Sequence, residues 1–344
     1  MMRRFLSYLL LLVIAATLAG LELLRLWEEP LRVPEQGYRF SVERGASLHS
    51  VAQHLHHDGV LQHPHLLRLY GRLSGRDQQI RQGEYLLPEY ATALSLLSLL
   101  ERGEVIQYQV TLPEGITLAR AIDILGARRE LRAVLSGPRD PRLLQLVAPR
   151  DSAEGLFFPD SYRFERGASD WSILRRAHAA MDGELQRAWR QRAQELPYAD
   201  AYQALIMASI IERETGLAQE RSEIAGVFVR RLARGMRLQT DPTVIYGLGE
   251  SFDGNLRRSH LTDSGNPYNT YRHHGLPPTP IALPGREAIR AALHPAPGNA
   301  LYFVARGDGG HVFSATLAEH ERAVRKYQLR RRQDYRSSPP QAQP

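Results

Sequence analysis

The 344-residue chain has no cysteine. That absence excludes disulfides, thiolate-held metals and a cysteine nucleophile, and it suits an exported protein that avoids accidental oxidation. Metal-site spacing is lacking too. His54, His56, His57, His63 and His65 crowd one stretch, but they are spaced irregularly, with no cysteine or acidic partner, and read as a solvated surface. Neither a metal nor another cofactor is expected. Charge is missing from the whole run Phe5 to Leu21, and this gap is the first positive clue.

That run follows Met1-Met-Arg-Arg and precedes Glu22, Arg25, Glu28 and Glu29. Extended through Leu26, it is long enough to span a bilayer. Arg3 and Arg4 then stay on the cytoplasmic side and everything after the span lies outside. A cleaved signal peptide is the competing reading, with Thr17-Leu-Ala19 as a weak cleavage site, but the apolar run exceeds an ordinary signal core. The organisation expected is a cytoplasmic N-terminus over 1–4, an anchor over 5–26 and a linker over 27–37. Basic residues exceed acidic ones, for a formal charge of +7. Part of the excess sits in Arg322, Arg325, Lys326, Arg330, Arg331, Arg332 and Arg336. Alone, that excess suggests nucleic acid. On an exported chain it points to anionic lipid or wall polymer instead, and no nucleic-acid partner is expected.

Beyond the linker the chain repeats itself. Tyr38, Gly45, Ser47, Leu48 and Leu55 recur at one offset as Tyr108, Gly115, Thr117, Leu118 and Leu125. Each copy spells a short strand, a glycine turn and a Ser/Thr-capped amphipathic helix. Between them Gly83–Leu87 reads as a strand and Thr92–Leu100 as a helix ending at Gly103. Residues 128–151 carry no strong periodicity, and Gly137-Pro-Arg-Asp-Pro141 reads as a turn. Helices are then expected over about 171–192, 200–215 and 218–234, the last capped by Gly235. A hairpin pairs 301–305 with 311–315 across Gly307-Asp-Gly-Gly310. A final helix over 317–332 leads into a disordered tail over 333–344.

The most informative stretch is Ala208-Ser-Ile-Ile-Glu-Arg-Glu-Thr215, which ends an apolar helical run in carboxylates. A carboxyl group held against apolar side chains has a raised pKa, the property a general acid needs near neutrality. Glu212 and Glu214 lie about 200° apart around a helix and cannot share a face; periodicity favours Glu214 only slightly. Two polar clusters follow: Met236 to Gly247, which contains Gln239, Thr240, Asp241 and Tyr246, and Pro267 to Tyr271, which contains Tyr268, Asn269, Thr270 and Tyr271. Amides, hydroxyls and aromatic faces beside one carboxylate suggest a groove for a sugar chain. Each of these residues also has a plainer reading: Asp241, before Pro242, as a turn cap; Gln239 and Thr240 as part of a rigid loop; the tyrosines as a packed corner.

These residues carry a resemblance to the endolytic murein transglycosylase family, also called the YceG-like family. It spans Glu154-Gly-Leu-Phe-Phe-Pro-Asp-Ser-Tyr162, Ala208–Thr215, Arg237–Gly247, Tyr268–Pro278, His294-Pro295 and Tyr302-Phe-Val304. The resemblance implies that Glu214 is catalytic, and it makes Glu212 structural, paired with an arginine. It implies a LysM-like region over 38–127 and a catalytic domain over 148–332. The fold class expected is therefore α+β: a transmembrane helix, a LysM-like α/β subdomain and a helix-rich catalytic domain with a C-terminal hairpin. The implied activity is lytic cleavage of the MurNAc–GlcNAc β-1,4 bond in nascent peptidoglycan strands, leaving 1,6-anhydro ends and terminating elongation. The site would be the outer side of a bacterial inner membrane, with peptidoglycan synthases as partners. Thr279 stands where the family commonly has Gly and Leu283 where it has Asn, which touches only loop geometry. His273, His274, His294 and His311 read as structural or solvated. Two other readings stay open: a non-catalytic glycan-binding scaffold, and a hydrolase using Glu214 with Asp241.

Overall fold

Local signals account for most of the elements in the computed structural model, which describes residues 2–214 and 217–329. The expected tail over 333–344, the end of the last helix and the hydroxyl of Thr215 lie outside the described residues. Helix α1 runs Met2–Glu28, and its segment Tyr8–Glu28 is long and apolar enough to cross a membrane, a test that a signal sequence also passes. The chain divides into two compact units, Met1–Tyr108 with Arg163–Ala168, and Gln109–Tyr162 with Ser169–Pro344.

In the first unit β1 (Tyr38–Val42) pairs antiparallel with β2 (Gly83–Leu87), in the register Tyr38 opposite Leu87. Helices α2 (Leu48–His57), α3 (Pro64–Ser74) and α4 (Ala93–Arg102) complete it. Ser47 and Thr92 cap α2 and α4 through reciprocal bonds with Ser50 and Ser95; each satisfies an otherwise orphaned N–H. Phe40, Leu55, Tyr85, Leu96 and Leu100 are buried together in the core. The histidine-rich stretch does have an acidic neighbour: His54 Nε2 stands 3.6 Å from Asp58.

The second copy of the repeat opens with β3 (Gln107–Thr111), and its helix α5 (Leu118–Gly126), capped by Thr117, belongs to the second unit. Strand β3 forms a two-stranded sheet with β4 (Ser161–Glu165). The aperiodic stretch between them holds a short helix that the sequence pattern does not announce, α6 (Pro141–Val147), capped by Asp140 with Pro141 in its first turn. Then come α7 (Asp170–Arg190), α8 (Ala201–Glu214), α9 (Arg221–Ala233), α10 (Asp241–Leu248), α11 (Arg258–Thr262) and α12 (Arg286–Leu293). The hairpin of β5 (Tyr302–Ala305) and β6 (His311–Ser314) follows, then α13 (Leu317–Val324), which continues as a π-helical turn over Arg325–Leu329.

Helix α8 is the axis of this unit. Every residue from Ala204 to Ile211 is buried, as befits a helix that is apolar all round, and α7, α9, α10 and α12 pack against it. Ser209, fully buried in that run, donates to the Ile206 carbonyl at 2.7 Å and accepts from the Ile281 N–H at 3.0 Å. The hydroxyl thus ties the proline-rich 275–285 segment to α8. Leu283 exchanges backbone bonds with Gly115 and Ile116, at 2.8 and 2.7 Å.

Candidate active site

The two carboxylates at the end of α8 have different surroundings, as their spacing requires. Glu212 accepts the Gly285 N–H at 2.9 Å and pairs with Arg221 at 3.3 Å. It joins three elements: the tip of α8, the start of α12 and the start of α9. Glu214 lines a pocket of about 600 Å³, and no Lys, Arg or His among the described residues forms an ion pair with it. Its side-chain partner is Thr240, whose hydroxyl donates to Oε1. Burial pushes the Glu214 carboxyl up to about 7; the Thr240 bond works against that shift and the nearby charge of Asp241 adds to it.

The start of α10 and the residues just before it also line the pocket. The Asp241-Pro242 pair reads from sequence as an extended or turn segment, but Asp241 is the first residue of a helix with proline in its first turn. Proline is tolerated there because the missing N–H would have no partner in any case. Gln239 holds φ at 53°, a left-handed conformation that non-glycine residues adopt rarely and that is found at functional sites. Its N–H donates to the Thr270 carbonyl at 3.2 Å, and that of Thr240 to the Thr270 hydroxyl at 3.1 Å. The Tyr271 phenol donates to Asp241 Oδ1 at 2.7 Å. Burial, then the charge of Asp241, drives that phenol's pKa well up, so Tyr271 stays a donor.

Of the residues singled out from sequence, Glu214, Gln239, Thr240, Asp241 and Tyr271 meet around this pocket. Asn269 and Thr270 do not. Asn269 is fully buried, and its amide donates to the carbonyls of His260, Leu261 and Asp263 while its oxygen accepts the Tyr271 N–H. Both the amide nitrogen and the oxygen of that side chain are thus bonded to backbone, and it shapes the turn that carries Tyr271. Thr270 is buried between Thr240 and Thr243, bonding the Thr243 hydroxyl at 2.9 Å. Tyr246 and Tyr268 form a second cluster, edge to face with centroids 4.9 Å apart. Tyr268 bonds Thr279 at 2.9 Å, so the residue that departs from the common glycine supplies a hydroxyl partner.

Sequence reading passed over four residues of consequence. Glu154 is buried under Tyr246, whose phenol donates to it at 3.2 Å, and it also accepts the Leu118 N–H at 2.9 Å. Arg231, Tyr302 and His320 line the pocket beside Glu214. A signal for Arg231 exists: it lies three and four positions after Phe228 and Val227, both inward, and so shares their face. His311, also at the pocket, is held by Glu220 at 2.7 Å.

Known proteins resemble this chain in sequence and in structure. The chain is 38% identical over 174 residues to the endolytic murein transglycosylase of Bacillus subtilis, covering 51% of this chain and 48% of that protein. To the endolytic murein transglycosylase of Streptococcus pneumoniae it is 26% identical over 320 residues, covering 83% of this chain and 57% of that one. The chain therefore spans about half the length of the curated relatives it matches. In three dimensions it resembles the crystal structure of a YceG-like protein from Listeria monocytogenes, with a TM-score of 0.55 at 26% identity, over 84% of this chain and 99% of the other. The YceG-like family pattern extends over residues 40–326, through both units and every pocket residue from Glu214 to Val324, and with that coverage the chain belongs to the YceG-like family.

Proposed function

We propose that the chain is a membrane-anchored lytic transglycosylase that cleaves peptidoglycan glycan strands, with Glu214 as the sole acid and base. The observation that carries this reading is a carboxyl group at a pocket, desolvated, raised to about 7, bonded to one hydroxyl and paired with no cation among the described residues. Such a group holds a proton near neutrality and can release it. Glu214 gives that proton to the glycosidic oxygen between MurNAc and GlcNAc as the C1–O bond breaks. The acetamide of the same sugar stabilises the cation at C1. The Glu214 carboxylate then takes the proton of the C6 hydroxyl, and O6 closes on C1. A 1,6-anhydro end results, Glu214 is protonated again and no water is consumed. Gln239, Asp241 and Tyr271 hold the sugars at the lip, with Thr240 orienting the carboxyl.

Helix α1, long and apolar enough to span a bilayer, keeps the pocket on the outer side of the bacterial inner membrane, close to nascent strands. There the enzyme terminates strand elongation beside peptidoglycan synthases. A hydrolase is the second reading, because Asp241 lines the same pocket as Glu214 and a second carboxylate can activate water. Mass spectrometry of strands digested by the full-length protein in detergent separates the two. Anhydro ends from wild type and Asp241→Asn, and none from Glu214→Gln, support the transglycosylase. Reducing ends that vanish in Asp241→Asn establish the hydrolase. Intact strands that still bind identify a scaffold.

A further inference from the structure

We propose that Arg231 and His320, set against the ring of Tyr302, form a subsite of the Glu214 pocket that takes a carboxylate of the glycan strand. This subsite rests on reading the pocket as a glycan groove. Arg231 is 7% exposed, yet no Asp or Glu among the described residues lies within ion-pair distance of it. Its Nη2 donates to the Gln239 side-chain oxygen, and its Nε is buried with no partner. A guanidinium stays charged in proteins and has five N–H groups to satisfy. Burying such a charge without an anion is costly.

The other two arginines on the same helix show how that cost is ordinarily met. Arg221 pairs with Glu212 at 3.3 Å and Glu114 at 3.9 Å. Arg230 donates to the carbonyls of Ala300 and Ala296, at 2.8 and 3.0 Å. Among the described residues Arg231 has no carboxylate and a single neutral oxygen, that of Gln239, and is the one of the three that lines the pocket.

A second orphaned nitrogen lies at the same place. His320 on α13 has a buried Nδ1 with no hydrogen-bond partner, and its ring stacks on Tyr302 at 5.1 Å. The Arg231 guanidinium carbon is 5.4 Å from the centroid of that same tyrosine ring, a cation–π distance. Helix α9, strand β5 and helix α13 thus each contribute one side chain, and all three line the cavity that holds Glu214. A carboxylate supplies the anion that the Arg231 guanidinium lacks, and guanidinium forks match carboxylates in geometry; His320 in its Nδ1–H tautomer adds a donor. Peptidoglycan offers this group from two sources. Naked strands expose the lactyl carboxylate of each MurNAc. On peptide-bearing strands that group is amide-linked, and the free carboxylates belong to the stem peptide.

The test is binding to the full-length Glu214→Gln chain, which removes turnover, measured calorimetrically with three oligosaccharides: naked, naked with each lactyl group converted to its methylamide, and peptide-bearing. Tighter binding of the naked acid than of its amide, by about 10-fold or more, identifies the lactyl carboxylate. Preference for the peptide-bearing strand over both others identifies the stem peptide. In either case Arg231→Gln should erase the preference and Arg231→Lys should restore part of it, a selectivity that a merely structural arginine would not control. The acid-against-amide comparison needs no arginine variant, so it survives misfolding of Arg231→Gln. Equal affinity for all three, no binding at all, or a preference undiminished in a folded Arg231→Gln protein overturns the subsite. Failure of the wild type to cut any strand sinks the transglycosylase reading and leaves this binding comparison in force.

Discussion

Glu214 and Glu154 belong to the same unit, and burial pushes both carboxyls up to about 7, yet their surroundings are opposites. Glu154 is 6% exposed and both of its oxygens are taken, one by the N–H of Leu118 and one by the phenol of Tyr246. It pins the first turn of α5 to α10. Glu214 lines an open pocket and its one side-chain bond among the described residues comes from Thr240, the residue that precedes α10. A raised pKa follows from desolvation in either setting; chemistry also requires room for a substrate beside the proton. Glu154 therefore serves the site at one remove, by fixing the helix whose leading end carries Thr240 and Asp241.

The largest expected effect tests that division directly. On the proposed mechanism Glu214→Gln removes the acid and base, and it should lower anhydro-end formation by about 10³-fold. Glu154→Gln keeps an acceptor for Leu118 and a polar partner for Tyr246, and should cost less than about 10-fold. Rates on purified strands at pH 6 decide it. Comparable losses from the two variants would break the distinction and place Glu154 in the chemistry.

Stability should rank the same residues in reverse. Glu154→Ala strands a buried N–H and takes one partner from the half-buried Tyr246 phenol, and should destabilise the second unit by about 2 kcal/mol. The linkage has a definite sign. Each carboxyl has a folded pKa near 7, above its ordinary value of 4.5. The stability associated with the protonated form is then fully present below about 4.5 and is lost as pH rises through about 7. Gln at either position removes that loss, so Glu214→Gln should be more stable than wild type at pH 8 and closer to it at pH 4.5. Denaturation curves at the two pH values check both statements. A Glu214→Gln protein weaker than wild type at pH 8 would mean that the carboxylate supports the fold.

How much of this was legible in the sequence depended on the range of the interaction. The run Ala204–Ile211, the caps Ser47 and Thr117 and the hairpin ending at Ser314 are local patterns, and the corresponding elements appear where periodicity and turn chemistry put them. Helix α10 was hidden because a residue before proline ordinarily avoids the helical region, whereas Asp241 enters it at a helix start. Glu154 stood in plain view within a recognisable block, but its meaning depends on Tyr246, 92 residues away. Asn269 offers the converse lesson. Its donors and acceptor suggest a sugar ligand, and only the fold reveals that backbone groups occupy all of them.

The smallest expected effect concerns Asp241, where the two carboxylate roles can still be confused. Its charge raises the Glu214 pKa, after burial, and the Tyr271 phenol steadies that charge from 2.7 Å. Asp241→Asn removes the like charge while keeping an oxygen for Tyr271 to bond. The pKa of Glu214 should then fall, because ionising it no longer places two negative charges together. An acid catalyst is active when protonated, so the limb where kcat/KM declines with rising pH should move to lower pH, by less than about one unit. The pH-independent rate on the acid side should change little. A displaced limb with anhydro products preserved makes Asp241 an electrostatic neighbour of the acid. If activity is lost at every pH, Asp241 is a participant, and the pocket works with two carboxylates.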